Sequence, residues 1–187
     1  DLQNWLTQEE YTFEWNDYGY IIMEQVILPI WGEGQKIEYT YNENRLADSK
    51  TISTYADGNW LYFEKSTYKY DSQGNIIEEV GQMYNNAWIN TVKVAVEYDN
   101  NGNGTSLLRY TWDGNQWVNE IKELSSYDTN NRQTLFELYT WAGDKWIGAV
   151  KEETAFDDNG NQTLKIDYAW DAESDTFIYT HKLEQEF

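Results

Sequence analysis

Four hexamers carry oxygen-rich side chains next to a glycine or its substitute: YDSQGN from Tyr70, YDNNGN from Tyr98, YDTNNR from Tyr127 and FDDNGN from Phe156. Such strings invite a calcium reading, with Asp99, Asn100, Asn101 and Asn103, or Asp157, Asp158, Asn159 and Asn161, as converging ligands. They lack the distal bidentate glutamate that a calcium loop of this kind requires. A chain reversal needs the same residues for another reason. Asp at the start of a turn caps backbone N–H groups, and Gly74, Gly102 and Gly160 supply a positive φ. Asn131 stands at that position in one copy, and Asn is the usual substitute for Gly at positive φ. The hexamers therefore read as turns. Loose calcium binding by an acidic surface is the remaining metal expectation, and no other cofactor is indicated.

The aromatic residues are the second candidate. Trp60, Trp88, Trp112, Trp117, Trp141, Trp146 and Trp170, with Tyr110, Tyr139 and Tyr168, recur at regular spacing and offer flat faces on which the apolar C–H face of a sugar can stack. Neighbouring Asn and Asp would bond its hydroxyls. Repetition also suits a packing role, since every repeat must cover the same apolar surface. The aromatics nearest the turns are those expected to face solvent.

Catalytic chemistry has little to work with. His181 is the only histidine and no serine or aspartate motif accompanies it, so a hydrolase triad or a histidine-rich metal centre is excluded. With 33 acidic residues some carboxylate pair will always sit at a glycosidase distance, which makes that distance uninformative. There is no cysteine, which removes thiolate catalysis, Cys-ligated zinc and disulfides. A formal charge of −20 disfavours nucleic acid and anionic membrane surfaces. No run of 18 apolar residues suggests a membrane helix. Charge on both sides of the strands (Lys93 with Glu97, Lys122 with Glu120, Glu123 opposite) argues against a lipid-facing barrel, so no membrane insertion is expected.

The elements that must position these residues are legible from a repeat. Bulky aromatics open each unit at Trp5, Trp31, Trp60, Trp88, Trp117, Trp146 and Phe177, and a second aromatic follows ten residues later at Trp15, Tyr41, Tyr70, Tyr98, Tyr127, Phe156 and Phe187. Five residues after the opening aromatic stand Lys36, Lys65, Lys93, Lys122, Lys151 and Lys182, with Glu10 in the first copy. Strict strand alternation would place both aromatics of a segment on one face and the lysine on the other. Such a lysine file could meet an anionic polymer, but its acidic neighbours make cross-strand ion pairing the simpler role. Short turn strings, ADGN, NNA, DGNQ and AGDK, join each long strand to a shorter one before it. The expectation is one all-β domain over 1–187, an up-and-down antiparallel meander of about 13 strands built from β-hairpin repeats, curled, spiralled or closed into a barrel-like sheet.

The pattern resembles the tandem YDxxGN, Trp-rich repeats of secreted and surface proteins of Bacteroidetes, and in style the YD repeats of Rhs-type shell proteins. It departs from the latter in its longer period and paired Trp. The resemblance implies an exported β-repeat protein of extracellular or cell-surface location and brings no activity with it. Asp1 in place of Met is consistent with a processed chain whose signal peptide is absent. The expected function is a non-enzymatic surface binding or adhesion module whose partner is a neutral or weakly charged glycan or another surface protein. The competing readings are a structural spacer or protein-interaction scaffold and, third, a calcium-responsive surface protein. Oligomeric state is not legible.

Overall fold

The computed structural model describes residues 9–29 and 31–186, so the aromatics expected at Trp5 and Phe187 lie outside the described residues. It contains thirteen strands: β1 (Glu10–Trp15), β2 (Ile21–Leu28), β3 (Glu33–Tyr41), β4 (Ala47–Ala56), β5 (Asn59–Tyr70), β6 (Ile76–Tyr84), β7 (Trp88–Tyr98), β8 (Gly104–Trp112), β9 (Trp117–Tyr127), β10 (Gln133–Trp141), β11 (Trp146–Phe156), β12 (Gln162–Asp171) and β13 (Thr176–Glu184). They form one antiparallel sheet in sequence order from β1 to β13, with no helix among the described residues. The expected meander is thus the fold. β1 and β13 end the strand order without pairing, so closure into a barrel, one of the three expected arrangements, does not occur. Two compact units are distinguishable: residues 1–74 with 79–92, and residues 75–78 with 93–187.

Every hexamer is a reversal held by its first polar side chain. Oδ1 of Asp99 accepts backbone N–H bonds from Asn101 and Asn103 at 2.9 Å each, while its Oδ2 accepts from the Asn103 amide. Asp157 does the same with Asn159 and Asn161, and Asp128 with Asn130 and Arg132. The fourth residue of each turn has positive φ: 91° at Gly74, 85° at Gly102, 62° at Asn131 and 89° at Gly160. Both oxygens of Asp99 and Asp157 are spent inside their own turns, which leaves them poorly placed to converge on a cation. These bonds hold the Asp99, Asp128 and Asp157 carboxyls below the usual carboxylate range.

Adjacent turns are stitched by the aromatic that ends the long strand. Tyr41, Tyr70 and Tyr98 donate their hydroxyls to the carbonyls of Ile21, Ala47 and Ile76, each the first residue of the preceding short strand. Phe156 has no hydroxyl. There Arg132 stacks on its ring at 4.8 Å and donates to the Asp157 carbonyl at 2.9 Å, restoring the link by another route.

The expected alternation fails at two places, and both failures repeat: the short strands β2, β4, β10 and β12 each carry an unpaired second residue, Ile22, Asp48, Thr134 and Thr163, opposite the end of the long strand before them. Opposite the short strands, the long strands β5, β9, β11 and β13 each carry one unpaired residue, Phe63, Glu120, Ala149 and Thr180, always the third after the opening aromatic. This β-bulge shifts side-chain parity by one and adds local right-handed twist, which curls the sheet. The lysine five residues on therefore returns to the face of the opening aromatic: Leu108, Tyr110 and Trp112 alternate regularly on β8 and pair with Lys122, Asn119 and Trp117. Strict alternation would have put that lysine behind the sheet. The strand-end aromatic, ten residues on, moves to the opposite face for the same reason.

No hydrophobic residue is fully buried among those described; the buried residues are Ser49, Ser53, Ser66, Gly81 and Gly148. Apolar cover comes instead from half-buried side chains packed laterally across strands, the unit of stabilisation in a sheet.

Candidate functional site

All ten aromatics proposed as sugar platforms are half-buried. The Trp residues close the hairpins in pairs across the short turns: Trp112 with Trp117 and Trp141 with Trp146, ring centroids 5.0 Å apart and planes near perpendicular, and Trp170 with Phe177 at 5.1 Å. Tyr84 with Trp88 and Tyr55 with Trp60 do likewise in the other unit. Edge-to-face pairs of this kind are worth about 0.5–1.5 kcal/mol beyond the area they bury. Tyr139, Trp170 and Phe177 also close over Gly148, where a β-carbon would collide with the Trp170 and Phe177 rings.

The tyrosines of the file are capped by the lysines. Lys93 Nζ lies 4.3 Å from the Tyr110 centroid, Lys122 4.2 Å from Tyr139 and Lys151 5.0 Å from Tyr168, with Trp117 and Trp146 as second rings at 5.5 and 5.3 Å. Each ammonium thus sits on the aromatic face that a sugar would have to use. Around Lys151 a small network forms. Its Nζ is 3.0 Å from Glu137, which also accepts the Tyr139 hydroxyl at 2.7 Å. Burial pushes the Glu137 carboxyl up, but these bonds outweigh it and hold the group below its usual range, while burial and then Glu137 push the Tyr139 phenol above its own. Ion pairing along the file is also present, at Lys36–Glu38 (3.1 Å) and Lys151–Glu153 (3.5 Å).

A different set of aromatics is open. Between the first two hexamer turns lies a depression of about 380 Å³ lined by Tyr18, Tyr20, Tyr39 and Tyr41, with Asn16, Asn42, Glu43 and Arg45 at its polar rim. Tyr20 and Tyr41 stack at 5.2 Å with 30° between planes, and Tyr18 is 68% exposed. The Arg45 guanidinium lies 4.6 Å over the Tyr18 ring. Asn16 Oδ1 accepts the backbone N–H groups of Tyr18 and Tyr20, and Asn42 Oδ1 those of Asn44 and Leu46, so both turns are capped while their Nδ2 donors have no partner among the described residues. Tyr39 donates to Glu24 at 2.9 Å, and burial followed by that bond raises its phenol to about 12.

Sequence reasoning passed over this site because it searched for what repeats. The signal was the departure. Where later turns have Asn or Gln, the first has Tyr18, and where they have Asn or Arg it has Tyr20; where they have Asp, the first two have Asn16 and Asn42; where they have Gly or Asn, the second has Arg45 at φ 64°. A long side chain in that left-handed region costs about 1 kcal/mol relative to glycine, and strain of this kind gathers at functional sites. His181 lies exposed on β13 with Nδ1 3.5 Å from Asp167. Among the described residues no cluster of three or more His, Asp or Glu is arranged to hold a metal ion.

Neither a scan of protein-family models nor a search of curated proteins finds a match. Two solved structures are similar in part. A protein of unknown function from Bacteroides fragilis NCTC 9343 is 15% identical, with a TM-score of 0.46 over 65% of this chain and 91% of its own. A DUF3836 family protein from Bacteroides vulgatus ATCC 8482 is 18% identical, with a TM-score of 0.39 over 51% of this chain and 99% of its own.

Proposed function

We propose that this chain is a non-enzymatic, exported binding module that holds a glycan at the tyrosine-lined depression between its first two hexamer turns. The observation that carries the reading is the convergence there of four tyrosines, two exposed, with two side-chain amides, a carboxylate and a guanidinium. Sugars need this combination, with apolar flats for their C–H faces and fixed polar groups for their hydroxyls. The Trp files proposed from sequence are second in line, because their rings are occupied by one another and by lysines. Surface location and adhesion rest on the resemblance to exported repeats.

Calorimetric titration of the full chain with a panel of oligosaccharides tests the site. Binding should be saturable and lost in Tyr18→Asn/Tyr20→Asn, which restores polar residues of the later turns. Absence of heat with every glycan, or binding untouched by the double variant, would overturn it.

A scaffold reading draws on a separate observation, the mutual edge-to-face pairing of Trp112, Trp117, Trp141 and Trp146. It assigns the later repeats to setting length and presenting the turns, with another surface protein as partner. On either reading the aspartates serve as turn caps, and the melting temperature should be indifferent to calcium and to chelator.

A further inference from the structure

Three of the departures that build the depression raise its charge, while one, Glu43 where later turns have Ser72, Asn100 and Thr129, lowers it. Asn16 and Asn42 replace the Asp of positions 71, 99, 128 and 157, and Arg45 replaces the Gly of positions 74, 102 and 160. A chain of formal charge −20 therefore drops two carboxylates and adds a guanidinium at one pocket, whose lining, with Glu43 and Arg45 its only charged members, is neutral. Neutral sugars need no such relief. No carboxylate pairs with Arg45 among the described residues; its guanidinium carbon lies 4.6 Å from the Tyr18 ring centroid at the pocket wall. A guanidinium is a planar fork with two parallel donors, the geometry that meets a carboxylate bidentately.

We propose that the pocket selects a carboxylate-bearing pyranose, a uronic-acid unit of a glycan, with the sugar ring on the exposed tyrosines, Arg45 on the carboxylate, and Glu43 and the Asn16 and Asn42 amides toward hydroxyls. This rests on the glycan reading of the same site. A singly charged group suits it better than a phosphate, because one cation faces one charge and the surrounding acidic surface repels each further one. That background repulsion is screened beyond about 8 Å at physiological ionic strength, whereas direct contact with Arg45 is not.

The test is a matched pair, trigalacturonate and galactotriose, titrated into the full chain at low and at physiological salt. The intact protein should prefer the uronate by about tenfold, the size expected of one charge-assisted hydrogen-bonded contact. Arg45→Gly should erase the preference without lowering the melting temperature, because glycine is unstrained at φ 64°. Asn16→Asp/Asn42→Asp keeps both turn caps and should weaken both sugars by loss of the amide donors, the uronate several-fold more than galactotriose because two carboxylates return beside it. Equal affinity for the two sugars, or a preference that survives Arg45→Gly, overturns the acidic-sugar inference while leaving the glycan site standing. Silence with both sugars and with the wider panel overturns both.

Discussion

The turns that open β2 and β4 and the repeats from β8 to β12 use the same local architecture for different ends. In the later repeats each exposed aromatic face is claimed: Trp pairs close the hairpins and lysines lie on the tyrosines. In the first two turns, positions that are polar or Gly in later copies carry Tyr18, Tyr20 and Arg45 around a depression, where Arg45 and Tyr41 each take one ring contact, and Tyr11, Phe13, Trp15, Tyr18 and Tyr20 are all exposed. A residue that recurs in every repeat answers a need that every repeat has, namely lateral cover across its own strands. A residue that breaks the pattern, and breaks it beside others that do, answers a need of one place.

Substitutions can break this contrast. The largest loss should come from Gly148→Ala, whose β-carbon would displace Trp170 and Phe177; overpacking of this kind costs about 1–3 kcal/mol and should lower the urea midpoint at constant m-value. Lys122→Met removes the ammonium from Tyr139 and Trp146 while keeping the stem, for an expected loss of about 0.5–1 kcal/mol by the same measurement. If it is neutral, the lysine file is not structural and the later aromatics regain a claim to ligand. By contrast, Tyr18→Asn/Tyr20→Asn should stay within about 0.5 kcal/mol of the parent, as expected of exposed side chains outside the packed files. A larger loss would make the open tyrosines structural.

Acid sharpens the comparison further. Asp99, Asp128, Asp157 and Glu137 have folded-state values below their unfolded ones, so the unfolded chain binds more protons as pH falls and their contribution is lost through that range. Melting temperature should therefore hold near neutral pH and fall from about pH 4 downward, the ordinary carboxylate range. Asp99→Asn, which keeps a capping oxygen, should reduce that acid dependence. The Asn-capped turns at positions 16 and 42 carry no such proton at the capping position, and amide exchange there should vary less with acid unfolding of the local turn than at Asp99.

Sequence alone determined the repeat, the thirteen strands and the turns, because these depend on local chemistry. Asp caps, positive φ at Gly or Asn, and aromatic spacing act within six to eleven residues and do not need the rest of the chain. What only the tertiary structure decided was which face each side chain joins and which rings stay open. One extra residue at Phe63, Glu120, Ala149 and Thr180 shifts parity, and that residue is extra only relative to a partner strand. The lysines expected behind the sheet thus lie on the tyrosines in front of it. The depression, likewise, exists because two turns separated by 26 residues of sequence, at Asn16 and Asn42, come side by side. Strand pairing makes neighbours of side chains that no local reading of the sequence brings together.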